Sequence, residues 1–152
     1  MSTETDHGEI ELLVFREFAE KANIGIIADS IEKRPLGEPD ILCAIEGEGP
    51  VAFELAELCA EDVAAAKSSV KNGGVATGSF SDPCANVLQK KLEKRYRSHA
   101  PIELLLYTNA RVVAPDDLIL STLRPLLGSR CSSFRKVWLL GEKGTYEVWR
   151  AS

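Results

Sequence analysis

Apolar residues recur along this chain with two periods, and the change from one to the other marks its elements. Over residues 9–22 the spacing is helical: Ile10, Leu13, Val14, Phe18 and Ala22 form one broad apolar arc, while Glu9, Arg16 and Glu20 gather on the opposite side. Residues 1–8 are polar and are expected to form a flexible N-terminus. Residues 25–31 read as a first short strand, after which Arg34-Pro35-Leu36-Gly37-Glu38-Pro39 breaks regular structure. The apolar runs 41–45 and 51–55 flank Glu46-Gly47-Glu48-Gly49, a turn-rich linker of the length that joins antiparallel strands.

Further on, the alanine-rich stretch 61–70 predicts a helix ending near Asn72-Gly73-Gly74. Residues 75–81 read as a loop, and Asp82-Pro83 supplies an N-cap with proline at the first helical position of a helix running to about Arg97. Its buried arc is Cys84, Ala85, Val87, Leu88, Leu92 and Tyr96, with Lys91 and Arg95 falling inside it. Residues 102–107 are continuously apolar apart from Glu103, as in a central strand covered on both faces. A helix follows over 115–127, which Pro125 should distort or end. Residues 136–140 and 145–149, joined across Gly141-Glu142-Lys143-Gly144, form a closing hairpin. Helix, strand, hairpin, helices, strand, helix and hairpin in that order suit an α/β fold with a mixed sheet flanked by helices.

With 45% apolar residues in 152, residues 9–152 fit one α/β domain able to bury a core. Cysteines 43, 59, 84 and 131 show no Cys-x-x-Cys spacing, and His7 and His99 stand far from them, which argues against a zinc site. Cysteines beside apolar runs behave as small hydrophobes, and the polar start lacks a signal peptide's apolar region. The compartment is therefore read as cytoplasmic. No apolar run approaches the roughly 20 residues of a membrane helix. A net charge of −5 excludes a surface that grips nucleic acid everywhere, because such affinity rests on neutralising phosphates. Local basic patches remain, one over residues 90–97 and a looser one at Arg124, Arg130, Arg135 and Lys136.

The candidate chemistry lies where charged residues face inward. Asp40 precedes one hairpin strand, Glu54 lies opposite or diagonal on the other, and a register slip of one residue would send them to opposite faces. Glu17 falls within the first helix's apolar arc and Lys91 within that of the later helix. Buried charges need partners or a metal. Asp40 and Glu54 would bind Mg²⁺ or Mn²⁺, with Glu17 completing the shell directly or through water. Lys91 would stabilise the transition state or orient the attacking water. Against this stand four plainer readings: a turn at Asp40, a Glu17–Lys21 salt bridge, an exposed sheet edge at Glu54, and a snorkelling Lys91.

At these residues the chain resembles the PD-(D/E)xK restriction-endonuclease-like nuclease superfamily, over about residues 9–107. Pro39-Asp40 looks like the Pro-Asp element, and Phe53-Glu54-Leu55-Ala56 looks like the Glu-x-Lys strand. The resemblance implies an α-β-β-β-α-β core, here with an added C-terminal helix and β-hairpin. It also implies a magnesium-dependent hydrolase acting on phosphodiester bonds, with DNA a more natural partner than RNA. Ala56 stands where the motif lysine is expected, so the basic group would come from the following helix at Lys91, with Lys67, Lys71 or Lys94 as weaker candidates. The alternative is a catalytically inactive nuclease fold serving as a binding or regulatory module. A third reading is an interaction subunit such as a homodimer, suggested by Trp138, Tyr146 and Trp149 near the end of the chain. Cysteine-based catalysis has little support, since nothing places His99 beside a cysteine.

Overall fold

The computed structural model describes residues 3–58, 91–92, 94–108, 115–127 and 133–151. Among them, two helices and six strands form a mixed α/β arrangement: α1 (Thr3–Ala22), β1 (Glu32–Lys33), β2 (Ile41–Ile45), β3 (Gly49–Glu57), β4 (Ile102–Tyr107), α2 (Asp116–Leu127), β5 (Lys136–Leu140) and β6 (Thr145–Arg150). The strands lie side by side in sequence order, β1-β2-β3-β4-β5-β6. Neighbours are antiparallel, except that β3–β4 and β4–β5 are parallel. The two parallel pairs need long crossovers, and α2 lies in the second of them.

Alternation along β4 explains why its apolar residues serve both faces. Leu104 and Leu106 pack with Ile119, Leu120, Leu123 and Leu127 of α2, whereas Leu105 and Tyr107 join Val14, Phe15 and Phe18 of α1 on the other face. The α1 side is dominated by rings: Phe53 of β3 lies 4.9 Å from Phe15 and 5.8 Å from Phe18, centroid to centroid. Trp138 closes that cluster at 5.4 Å from Phe18. Tyr146 and Trp149 cover the α2-side core of their own chain. Glu103 is buried on the α1 face, where the Trp138 indole donates to it at 2.6 Å and Arg135 pairs with it. Arg135, from the looser basic set, thus serves the core.

Several expectations need correction. Helix α1 begins at Thr3, so the polar start continues a helix; polar residues carry no periodicity by which the pattern could have found its beginning. The buried seam of α1 also lies elsewhere on the wheel. Val14, Phe15 and Phe18 are buried together with Glu11, while Ile10 is 39% and Leu13 is 69% exposed. Residues 25–31 make one bridge, Ile26 to Ile45, and a 3-10 turn at Ala28–Ser30; the first strand is Glu32–Lys33. Residues 94–98 are irregular, so the helical piece at 91–92 ends before Arg97, whose N–H donates instead to Gly37 O at 3.1 Å. Helix α2 runs through Pro125 to Leu127. The predicted helix 61–70, the glycines 72–74, the loop 75–81 and the start of the helix at Pro83 lie outside the described residues, as do Lys67, Lys71, Cys59, Cys84, Arg130 and Cys131.

The expected hairpin is present, and the structure fixes the register that the sequence left open; its second strand starts at Gly49, inside the expected linker. Ile41 pairs with Phe53 and Ile45 with Gly49, and the turn uses Gly47 and Gly49 at φ of 81° and 89°, a region that glycine enters without steric cost. No helix among the described residues is long and apolar enough to cross a membrane.

The closing hairpin is anchored by Asp116 at the start of α2. Its carboxylate accepts the N–H groups of Glu142 and Lys143 and the Tyr146 hydroxyl, each at 2.9 Å. A Cβ on Gly141 would collide with that carboxylate. Burial alone would raise the Asp116 carboxyl, but the donated bonds from Lys143, Tyr146 and Glu142 hold it below its ordinary range. A depressed folded value gives stability that is present above the unfolded value, ~3.9, and is lost as pH falls through the folded one. Asp116→Ala leaves two backbone donors without their acceptor and should cost about 2–3 kcal/mol in urea unfolding at pH 7. The deficit should shrink only below about pH 4.

Candidate active site

The β2–β3 register decides whether Asp40 and Glu54 meet. Extending the pairing of Ile41 with Phe53 by one residue sets Asp40 opposite Glu54, at the point where β2 begins. There the two side chains take over from the backbone ladder, each serving the other strand. The Asp40 N–H donates to Glu54 Oε1 at 3.0 Å, and the Leu55 N–H donates to Asp40 Oδ2 at 2.9 Å. This exchange locks both carboxylates in place. Glu54 is 2% exposed.

Charge is brought to the pair from both sides. Lys91, in the connection between β3 and β4, places Nζ 2.6 Å from Glu54 Oε2. From β1, Lys33 Nζ lies 2.6 Å from Glu11 Oε1 and 3.8 Å from Asp40 Oδ1. Glu11 belongs to the buried seam of α1. Together with Gly8, Arg34, the turn that follows it and Lys94, these side chains line a cleft of about 630 Å³. Arg34 on its rim is tied to Glu32 at 2.6 Å and Glu38 at 3.0 Å.

Asp40, Glu54 and Lys91 of the predicted set therefore come together, and Glu17 does not. Glu17 is exposed and pairs with Lys21 at 3.0 Å, a surface i,i+4 contact worth about 0.3–0.5 kcal/mol. The reason is rotational: at about 100° per residue, Glu17 turns off the seam that buries Phe18, and Glu11 turns onto it. Glu11 and Lys33 were missed. The signal for Glu11 was present in Phe15 and Phe18, which stand four and seven residues after it and share its stripe. For Lys33 there was none, because its strand was placed too early. Lys94 lines the rim and lies 5.0 Å from the Tyr96 ring centroid.

The electrostatics reflect like charge crowded at the Asp40–Glu54 pair, within a cleft whose lining carries as many basic as acidic side chains. Burial, followed by the charge of Asp40, raises the Glu54 carboxyl above its ordinary range, although Lys91 pulls the other way. Burial opposes the charge on Lys91, yet Glu54, Asp40 and Glu11 outweigh it and raise the ammonium above its ordinary value. Lys91 is therefore a fixed cation at neutral pH and is not poised to accept a proton. Burial, then Glu54 and Asp40, raise the Tyr96 hydroxyl too. Burial pushes the Cys43 thiol up to about 12, the reverse of what a thiolate nucleophile requires. His99 is exposed.

Two carboxylates beside a cleft are the donor type that a hard divalent cation keeping several waters prefers, although here the Glu54 oxygens already accept the Asp40 N–H and the Lys91 ammonium. Among the described residues no three His, Cys, Asp or Glu side chains gather closely enough to enclose an ion. A cation here would therefore rest on the Asp40–Glu54 pair, water and substrate oxygens. No match to the chain was found among protein-family models, curated proteins or solved structures.

The raised value at Glu54 has a measurable sign. A carboxyl raised on folding adds stability below its unfolded value, ~4.3, and loses it as pH rises through the folded value. Glu54→Gln removes that charge and keeps an acceptor for the Asp40 N–H. The variant should melt above wild type at pH 8, and the difference should vanish near pH 4. Thermal unfolding followed by circular dichroism at both pH values is the check, and a variant that melts below wild type at pH 8 refutes it.

Proposed function

We propose that the chain is a divalent-cation-dependent nuclease-like domain of the PD-(D/E)xK type, hydrolysing phosphodiester bonds in DNA. The observation that carries this reading is the reciprocal Asp40–Glu54 pair with the Lys91 ammonium 2.6 Å from Glu54. Ala56, in the usual lysine position, is 4% exposed and packed among Leu104, Leu106 and Leu92. The cation is instead delivered by Lys91, from a different element, beside the same acid. The element order α1, β1, β2, β3, crossover, β4 is compatible with such a core, to which α2, β5 and β6 are additions.

In this reading Asp40 and Glu54 would hold Mg²⁺ or Mn²⁺, which would supply Lewis acidity at a phosphoryl oxygen and a more acidic bound water. The exchanged backbone bonds keep either carboxylate from swinging away. Lys91, permanently protonated, stabilises negative charge developing on the phosphoryl oxygens. Lys94 on the rim and the lysines inside the cleft provide local attraction for a phosphate backbone despite the acidic whole.

A second reading, a non-catalytic binding module on the same scaffold, is favoured by one observation: Lys91 lies 2.6 Å from Glu54 and Lys33 3.8 Å from Asp40, the carboxylates that a metal would use. The two readings diverge in a direct experiment. If the site is hydrolytic, Mn²⁺ raises the melting temperature of wild type but not of Asp40→Asn, and the protein cleaves single- or double-stranded DNA in Mn²⁺. Lys91→Met should then retain the Mn²⁺-induced melting shift while losing about 10²–10⁴-fold in rate. Absence of both the shift and cleavage on DNA and RNA substrates favours the binding module.

A further inference from the structure

We propose that the segment 94–97, at the mouth of the cleft, is a docking strip for the sugar-phosphate backbone of a nucleic acid. From the reading above this takes only the class of substrate, and it adds where and how a strand is gripped. The cleft lining is electrically balanced, with four basic and four acidic side chains. Three of those cations already face carboxylates: Lys91 meets Glu54, Lys33 meets Glu11 and Asp40, and Arg34 is divided between Glu38 and Glu32. The remaining one, Lys94, begins a run of a different kind. Lys94, Arg95 and Arg97 are exposed, and none of them forms an ion pair among the described residues. With Glu32 counted beside the lining, the described residues in and around the mouth include six basic side chains against five acidic. A chain of net charge −5 is therefore locally cationic at this edge.

The strip has no regular secondary structure, yet it is pinned along its length. Lys94 O accepts the Ser133 hydroxyl at 2.9 Å, and the Arg97 N–H donates to Gly37 O at 3.1 Å. Between these points Tyr96 turns inward. Its ring lies 5.8 Å from that of Phe134, against the α2-side core, and its hydroxyl donates to Lys91 O at 3.4 Å. Tyr96 thus anchors the strip, while Arg95 and Arg97 on either side of it stay in solvent. Lys94 and Gly37 both line the cleft, so the strip borders its opening. A backbone ordered in advance spares part of the ordering cost of binding.

The side-chain chemistry suits phosphate. A guanidinium presents paired N–H donors in a fixed fork that matches phosphate oxygens two at a time, and the strip carries two of them beside an ammonium. With Tyr96 packed inward, the strip offers no ring for base stacking, so its contacts are to the backbone and fix position without reading sequence. An anionic membrane surface fits less well. Among the exposed large apolar residues described, Leu36 is the neighbour of Gly37, and a lone leucine does not make the apolar face that interfacial binding uses.

Fluorescence anisotropy with dye-labelled single-stranded and duplex DNA oligonucleotides tests the strip, with EDTA present so that no metal takes part. Three phosphate contacts predict a log–log salt slope of about −2 to −3, a loss of roughly 20–40-fold in affinity between about 50 and 200 mM salt. Lys94→Gln, Arg95→Gln and Arg97→Gln should each reduce that slope by about 0.7–0.9, and the triple variant should bind at least about tenfold more weakly at the lower salt. Arg95→Lys/Arg97→Lys keeps the charges and should keep the slope. Lys143→Gln makes the same change of net charge in the turn between β5 and β6 and should bind as wild type does. The proposal is overturned by a triple variant with wild-type affinity and slope, or by a Lys143 variant that weakens binding as much as a strip variant. It is overturned equally by a wild type that binds neither oligonucleotide, whether or not it binds phosphatidylserine vesicles. Binding lost in the triple variant, with no cleavage by wild type in Mn²⁺, upholds the strip and sinks the hydrolytic reading; cleavage in Mn²⁺ by a triple variant of wild-type affinity does the reverse.

Discussion

The constraint on which the site depends is the exchange between Asp40 and Glu54, in which each side chain accepts a backbone N–H from the other strand or its immediate neighbour. A charged acceptor makes such bonds roughly twice as strong as neutral ones, so the exchange can hold two like charges together at the end of a strand pair. Their repulsion is not removed. It reappears in the raised Glu54 carboxyl and in the two lysines drawn towards the pair. Burying a charged pair rarely stabilises a fold as well as apolar residues of similar size would. A polar cluster of this kind beside a cleft, under a sheet otherwise built from Leu, Phe and Val, is a functional-site candidate on physical grounds.

The sheet makes the cluster possible by giving it a rigid floor. β3 has β2 on one side and β4 on the other, and both of its faces are buried, so Glu54 cannot relieve its environment by moving into solvent. On the α1 face the Phe15, Phe18, Phe53 and Trp138 rings fix the helix against the sheet. Glu11 lies on the same helical stripe as Phe15 and Phe18, so the packing that seats the rings also presents the carboxylate to Lys33. Core packing and site geometry are here one constraint. The Glu103–Arg135–Trp138 network is a contrasting use of buried charge: its acid is covered by the Trp138 indole and Arg135, which leaves it a structural anchor.

Much of the strand pattern and the central part of the site could be read from residues alone, for identifiable reasons. The 41–45 and 51–55 runs flank a glycine-rich turn, so the hairpin was legible but its register was not, and only the pairing of Ile41 with Phe53 sets Asp40 opposite Glu54. Strand β4 announced itself by an apolar run broken only by Glu103. Lys91 stood out as a charge within an apolar arc. Where the reading failed, the pattern itself was ambiguous. Ile10 and Leu13 are apolar but exposed, and they pulled the assumed seam of α1 away from Phe15, carrying the assignment of Glu17 with it. Exposed apolar residues are ordinary on protein surfaces, so a wheel weighted by the two Phe rings would have placed the seam better. Strand β1 has only two residues, too few for any period, and Lys33 was invisible for that reason.

The distribution of lysines gives the site its chemical character. Had the cationic group stood at position 56, it would project from the same strand as Glu54, two residues on and on the same face. Ala56 there is instead sealed among leucines, and the cations arrive from β1 and from the β3–β4 crossover, approaching the acids from two sides. A strand-borne lysine is fixed in relation to its acid by the pleat, whereas lysines on separate elements hold their distance only as long as those elements stay packed. The separation between acid and cation here is therefore coupled to the placement of β1 and of Lys91, and any change at either acts on the charge balance at Glu54 and Asp40. A cleft built in this way ties the electrostatics of its acids to whatever occupies its rim.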